Sequence, residues 1–166
     1  YKWSPGVKLY LNIRKNSGFD MKARVKWVDG AMMVGESGTG HRVIMDGAPE
    51  YGGRDMGPRP MEMLLLGLGG CTEFDVVHIL TRGRNEVVGC EVEIEAERAE
   101  KDPKVFTKIH VHFRVSGPGL TDKAVSRAVK LSAEKFCSAS LMLGKAADIT
   151  HDYEVIDTAD TEEESS

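Results

Sequence analysis

Residues 60–71 read Pro60-Met-Glu-Met-Leu-Leu-Leu-Gly-Leu-Gly-Gly-Cys71, an apolar run that closes on a thiol. Proline is tolerated at the first helical position, where its missing N–H is not needed, so Pro60 predicts a helix start. From Met61 to Cys71 apolar residues fall on every side of that helix, and such a helix must be buried all round. In a chain of 166 residues, a subunit interface achieves this most easily. Gly67, Gly69 and Gly70 each cost roughly 1 kcal/mol against alanine in a helix interior, so three within four positions point to close backbone approach. The competing reading is a helix break near Gly69. The apolar pattern continues through Phe74, Val77, His78 and Leu80, with Gly83 as the expected stop.

Upstream, residues 47–58 (GAPEYGGRDMGP) form a Gly/Pro-rich loop. Before it the period changes to two: Ala23, Val25 and Trp27 alternate with Lys22, Arg24 and Lys26. Asp29-Gly30 is a hairpin signal, and Gly38-Thr39-Gly40 marks a second turn before His41-Arg-Val-Ile-Met45. A small antiparallel meander is expected here. Residues 1–20 have no clear period and are read as an N-terminal extension or a remnant of expression, with Met21 as a natural start.

Downstream, Cys90, Val92, Ile94 and Ala96 lie on one face of a strand, with Glu91, Glu93, Glu95 and Glu97 on the other. Lys101-Asp-Pro103 turns the chain. The return strand sets Val105, Thr107, Ile109, Val111, Phe113 and Val115 against Lys108, His110, His112 and Arg114, so a carboxylate row meets a basic row. Thr121 is placed to cap a second helix, with Leu120 stapling toward Val125. Val125, Ala128, Val129, Ser132 and Phe136 mark its inner face. A short helix follows Cys137 and stops at Gly144. Residues 149–155 read as a last strand, and the acidic tail 157–166 reads as disordered.

The formal net charge is −4, which is too balanced for nucleic-acid binding by bulk attraction. The ends differ: Lys2, Lys8, Arg14 and Lys15 face Asp20 alone, whereas the tail holds Asp157, Asp160 and Glu162 to Glu164. No uninterrupted apolar run reaches the ~20 residues a bilayer requires, and Val7–Ile13 is no signal-peptide core because Lys8 and Asn12 break it. Three cysteines, Cys71, Cys90 and Cys137, make a poor secreted disulfide framework and fit a reducing compartment, so the cytoplasm is expected, with no membrane or nucleic-acid partner.

The thiols carry the functional question. A cysteine in an apolar helix is ordinarily a small core residue. Two of them, Cys71 and Cys137, each in a patterned helical segment of one small domain, suggest a redox pair. Cys90 shares a strand face with Val92 and Ile94 and reads as core. A nucleophilic thiol needs a nearby cation, and Glu73 and Asp75 on the same helix work against ionisation. His78 follows Cys71 by seven residues, about 10.5 Å along the helix, too far to be its base. His110 and His112 form an H-x-H on one strand face, but spacing places no third ligand, so no metal and no other cofactor is expected. Ser138 and Ser140 read as a helix start rather than as nucleophiles.

These segments resemble the OsmC/Ohr family of thiol peroxidases, and within it the YhfA-like branch. The resemblance rests on M-x-A-R-V-K-W-V at 21–28, P-M-E-M…G-G-C at 60–71, L-S-A-E-K-x-C-S at 131–138 and I-T-H-x-Y-E-V at 149–155, and spans residues 21 to about 156. It implies an α+β fold in an intertwined homodimer: a small N-terminal antiparallel sheet, a long central buried helix with its cysteine, a hairpin, a second helix pair and a C-terminal strand. It implies a stress-related, antioxidant peroxidase acting on organic hydroperoxides. Cys71 would attack the peroxide, Cys137 would resolve the product to a disulfide, and a dithiol reductant would restore the pair. The family's arginine–glutamate pair has no match by motif: Met61 stands at the glutamate's place with Glu62 next to it, and Asp29-Gly30-Ala31 stands near the arginine's. Arg24, Arg54 and Arg59 are the nearest replacements for the arginine, and Glu62, Arg54 and Arg59 are the candidate substrate-binding residues. Glu62 lies about 13.5 Å from Cys71 along the helix and half a turn away, so it could approach that thiol only from a second subunit. The alternative reading is a non-catalytic dimer holding a small hydrophobic or thiol-reactive ligand in its interface pocket.

Overall fold

The computed structural model describes residues 21–159. The expected N-terminal extension and the acidic tail beyond residue 159 lie outside the described residues. The chain divides into two compact units, one ending at Met63 and the other starting at Leu64.

In the first unit, β1 (Ala23–Asp29), β2 (Met32–Ser37) and β3 (Arg42–Met45) form the expected antiparallel meander in the order β1-β2-β3. Gly30 takes the left-handed φ of +53° in the first turn, and an added Cβ there would meet the Gly52 carbonyl at 2.7 Å. The following Gly/Pro-rich loop is organised by one carboxylate. Buried Asp46 accepts backbone N–H bonds from Gly47, Arg54 and Met56. Those bonds, the Arg54 amide first, hold its carboxyl below the usual range.

The second unit is built on α1 (Pro60–Arg82), which starts in the first unit and runs unbroken through all three glycines. Leu68, Thr72, Val76 and Leu80 recur every four residues and are buried as one stripe. Among the described residues, a Cβ at Gly69 would lie 3.3 Å from Ile94 Cδ1, whereas one at Gly67 or Gly70 would meet none of them. Leu66 and Phe74 share that open face and are 60% and 68% exposed, so the described residues do not bury the helix all round. By length and composition α1 is also apolar enough to cross a bilayer, with a hydropathy of 1.5 over its most apolar stretch. Its buried stripe and the mid-helix acids Glu73 and Asp75 instead suit a helix that packs on protein. The helix ends as expected before Gly83, although the left-handed residue is Arg84, φ +63°.

The second sheet has the order β4-β5-β6, from β4 (Gly89–Arg98), β5 (Phe106–Gly117) and β6 (Asp148–Asp157). The β4–β5 register places Glu91, Glu93, Glu95 and Glu97 opposite Arg114, His112, His110 and Lys108, the pairing expected from the sequence. Ile109, Val111, Phe113 and Val115 form the inner face and are essentially inaccessible; each such side chain contributes about 1.5–3 kcal/mol by leaving water. The expected face fails at its start. Val105 and Thr107 are exposed and Phe106 is buried instead, because the register shifts between Glu97 and Arg98 and reverses the alternation. β6 pairs parallel to β5, which requires a crossover. That crossover is α2 (Asp122–Leu131), a π-helical turn over Ser132–Phe136, and α3 (Ser138–Leu143). Thr121 caps α2 by accepting from the Ala124 amide at 3.3 Å, and Val125, Ala128, Val129 and Ser132 are buried as expected. Phe136 is not: the π turn rotates it outward to 49% exposure, with Lys135 Nζ over its ring.

Candidate active site

The π turn is what builds the site. Its five-residue hydrogen bond, from the Cys137 amide to the Ser132 carbonyl at 2.9 Å, inserts one residue into the helical path, a device common at functional positions. Ser132 is thereby held against α1. Its hydroxyl lies 2.9 Å from Thr72 Oγ1 and donates to Asp75 Oδ2 at 3.3 Å. Cys137, beyond the turn, becomes the N-cap of α3 and accepts the Ser140 amide on its sulfur at 3.4 Å.

The result is a cluster of three side chains. The Cys71 and Cys137 sulfurs and a carboxylate oxygen of Asp75 all lie within 4.8 Å of one another. Cys71 and Asp75 are four residues apart on α1 and therefore neighbours on one face. Cys137 is fully buried, whereas Cys71 and Asp75 are half-buried, so the cluster opens toward the α1 side. Burial pushes the Cys137 thiol up, and Cys71 adds to this; the Ser140 amide and hydroxyl work the other way by favouring the thiolate. The Ser140 hydroxyl is buried, with no well-aligned hydrogen-bond partner among the described residues.

Cys90 has a different setting. It sits half-buried on the inner face of β4, and burial pushes its thiol up to about 11, with the Glu73 carboxylate adding to the effect. Of the two acids that follow Cys71 on α1, Asp75 lies beside the Cys71 sulfur, and Glu73 adds to the upward push on Cys90.

The three candidate substrate-binding residues are engaged with acids or with one another inside the first unit. Arg54 Nη2 pairs with Asp29 at 3.1 Å. Arg59 pairs with Asp55 and with Glu62. Glu62 also accepts the Arg59 amide at 2.8 Å, the main reason its carboxyl sits below the usual range. At the third helical position it acts as a cap for the start of α1.

The histidines fall elsewhere. His78 stacks on Phe74 with ring centroids 5.7 Å apart. His110 and His112 both contact Asp152 across the β5–β6 pair, and the His112 hydrogen bond is the first cause of the low Asp152 carboxyl. Ser138 and Ser140 are in the first turn of α3, as the sequence suggested. The residues that sequence reasoning missed are Thr72, Ser132 and Ser140 as supports of the cluster. Ser132 and Ser140 lie five residues before and three after Cys137, but only the π turn aims them.

A three-stranded meander, a long cysteine-bearing helix and a β4-β5-β6 sheet with a helical crossover define an α+β protein with a two-thiol centre. The family model of OsmC-like proteins matches residues 52–152, and the chain belongs to that family. It is 54% identical to Protein YhfA of Escherichia coli strain K12 over 136 residues, covering 82% of this chain and 98% of that protein. A structure from structural genomics is 52% identical, with a TM-score of 0.76, covering 83% of this chain and 100% of that one. An organic hydroperoxide resistance protein OsmC from Legionella pneumophila is similar in fold, with a TM-score of 0.64 at 17% identity over 84% of this chain and 100% of that one.

Proposed function

We propose that this protein is a cysteine-based peroxide reductase that acts on organic hydroperoxides as a homodimer. The observation that carries the reading is the proximity of the Cys71 and Cys137 sulfurs, both within 4.8 Å of the third group of their cluster and of each other. The Cys71 thiolate attacks the terminal peroxide oxygen. The O–O bond breaks, the alkoxide takes a proton and leaves as an alcohol, and Cys71 becomes a sulfenic acid. The Cys137 thiol then attacks that sulfur, water leaves, and a disulfide forms. A dithiol reductant then supplies two electrons and two protons, restoring both thiols and leaving as its own disulfide. Cys71 suits the attacking role because it is the more accessible sulfur, and Cys137 suits the resolving role because it is buried against it.

Support for the dimer comes from the open face of α1. Among the described residues none lies within reach of a Cβ added at Gly67 or Gly70, and Leu66 and Phe74 beside them are exposed; together they suit close packing of a second copy of the helix. Redox and stress-response roles are supported by membership of the OsmC-like family and by the name of the Legionella pneumophila relative in fold. A cytoplasmic location fits the three unpaired cysteines.

A second reading is favoured by one observation: the carboxylate beside the thiols is Asp75, and Arg54 and Arg59 are already paired with acids. In that reading the same dimer holds a hydrophobic or thiol-reactive ligand without turnover. Reduced protein mixed with cumene hydroperoxide and a dithiol separates the two. Sustained peroxide loss supports the reductase, and peroxide loss no faster than the dithiol alone gives the binding module. Light scattering tests the dimer: twice the 18.2 kDa chain mass is expected, and a stable monomer would contradict it.

A further inference from the structure

The cluster of Cys71, Asp75 and Cys137 has the composition of a metal site as well as that of a redox pair. We propose that, in the reduced protein, these three side chains bind one Zn²⁺ per chain. The sequence reading assigned no metal here, and the site does not depend on peroxide chemistry: a chain that never turned over a peroxide would still hold these donors.

The donor set argues for zinc. Two thiolates and one carboxylate suit a borderline-soft divalent ion, and the all-oxygen preference of Mg²⁺ and Ca²⁺ excludes them. An iron–sulfur cluster is held by four cysteines, whereas the chain has three and Cys90 sits apart on β4. Tetrahedral Zn–S bonds of about 2.3 Å place two sulfurs roughly 3.8 Å apart. The three donor atoms already lie within 4.8 Å of one another, so closing on the ion needs side-chain movements on the order of 1 Å.

The supports around the donors are in place too. Metal sites are oriented by hydrogen bonds to the ligands. Ser132 donates to Asp75 Oδ2 and is itself held by Thr72. The Ser140 amide donates to the Cys137 sulfur, and the buried Ser140 hydroxyl, which lacks a well-aligned partner, stands next to it. Both helical turns that carry the ligands are therefore tied to them. Because Cys71 and Asp75 are half-buried, an ion has a way in and a fourth position is left for water. Binding is not a redox step. Zn²⁺ replaces the two thiol protons, which leave to solvent, and the site gains two Zn–S bonds and one Zn–O bond. While zinc is bound each thiolate gives one lone pair to the metal and loses nucleophilicity, so both cysteines react more slowly with alkylating agents.

The test uses the whole chain, reduced and freed of metal, with Zn²⁺ alone as probe and Co²⁺ as a coloured substitute. One Zn²⁺ per chain should bind at micromolar concentration. Alkylation of Cys71 and Cys137, followed by peptide mass, should slow at least tenfold and recover with a chelator, while Cys90 is unchanged. Co²⁺ should give a thiolate charge-transfer band with tetrahedral visible bands. Asp75→Asn, which keeps the shape of the side chain, should weaken zinc at least the roughly tenfold that loss of an outer-shell partner costs. His110→Ala with His112→Ala should leave binding as it was. The proposal fails if the wild-type thiols are not protected at micromolar Zn²⁺. It also fails if Asp75→Asn binds zinc as tightly as wild type, or if the two histidine substitutions abolish uptake. Peroxide turnover enters none of these readouts, so the zinc site and the reductase stand or fall separately.

Discussion

Two half-buried cysteines, Cys71 on α1 and Cys90 on β4, differ in what surrounds them rather than in how deep they lie. Cys90 faces the inner side of a sheet, with Val92 and Ile94 on its strand face and the Glu73 carboxylate acting against its ionisation. Cys71 faces a carboxylate tied to Ser132 and a second sulfur, Cys137, which accepts the Ser140 amide of α3. A thiol becomes a candidate for chemistry through a partner that can trap its oxidised form, and burial alone does not provide one. The contrast also explains why the cluster is spread over two elements. A strand can place neighbours only above, below and across, whereas a helix crossed by a π turn brings a distant thiol onto its face.

Substituting the thiols one at a time is the severest way to break this contrast. Cys71→Ser should lower peroxide consumption by about a thousandfold or more, the scale on which loss of a nucleophile acts. Cys137→Ser should consume one equivalent of peroxide and then stall as a sulfenic acid or overoxidise, read as a mass gain on the Cys71 peptide. Cys90→Ser should leave turnover within about twofold, since that residue is proposed to take no part. A Cys90→Ser loss as large as that of Cys71→Ser would erase the distinction.

The supports give a smaller effect. Thr72→Val removes one partner of a buried hydroxyl pair while keeping the volume, and should cost about 1–3 kcal/mol in denaturant unfolding. If the π turn carries the site, the same change should also slow disulfide formation without altering secondary structure by circular dichroism.

Titration sharpens the comparison further. The Cys90 thiol is pushed from its ordinary 9.0 up to about 11. Its alkylation should therefore rise with pH up to about 11, measured on the Cys90 peptide. Because the folded pKa is the higher one, stability is unaffected below about 9. It falls as pH rises from there through about 11, where the unfolded thiol ionises and the folded one does not. At the acid end the sign reverses for Asp46 in the loop of the first unit. Its carboxyl is held low by the Arg54, Met56 and Gly47 amides, so its stabilisation is complete above the ordinary carboxylate range and is lost as pH falls through the folded value. Asp46→Asn should flatten that acid limb and lower the melting temperature at neutral pH.

Much of this was legible in the residues. Period two marked β1, β4 and most of β5, Thr121 marked its helix start, and the facing rows of Glu91 to Glu97 and Lys108 to Arg114 gave a register that the sheet adopts. Local pattern was enough for those because each is decided by neighbours in sequence. The failures were non-local or off-period. A 3.6-residue count places Phe136 on the inner face of α2, and the π turn shifts that count by one residue. Strict alternation points Val105 and Thr107 inward, and the irregularity at Glu97–Arg98 reverses it. The parallel pairing of β6 with β5 depends on a crossover that no strand pattern records. At the site, the two cysteines were legible as a pair, and Asp75 as a neighbour of Cys71. That Ser132 would hold Asp75, and that Glu73 would act on Cys90, required the fold.

The central claim is that Cys71 and Cys137, and not Cys90, form the working pair. Reduced wild-type protein should be treated with one equivalent of an organic hydroperoxide, quenched with an alkylating agent, digested without reductant and read by peptide mass. The account predicts a Cys71–Cys137 disulfide with Cys90 recovered alkylated. Three alkylated cysteines, or a disulfide that includes Cys90, would contradict it.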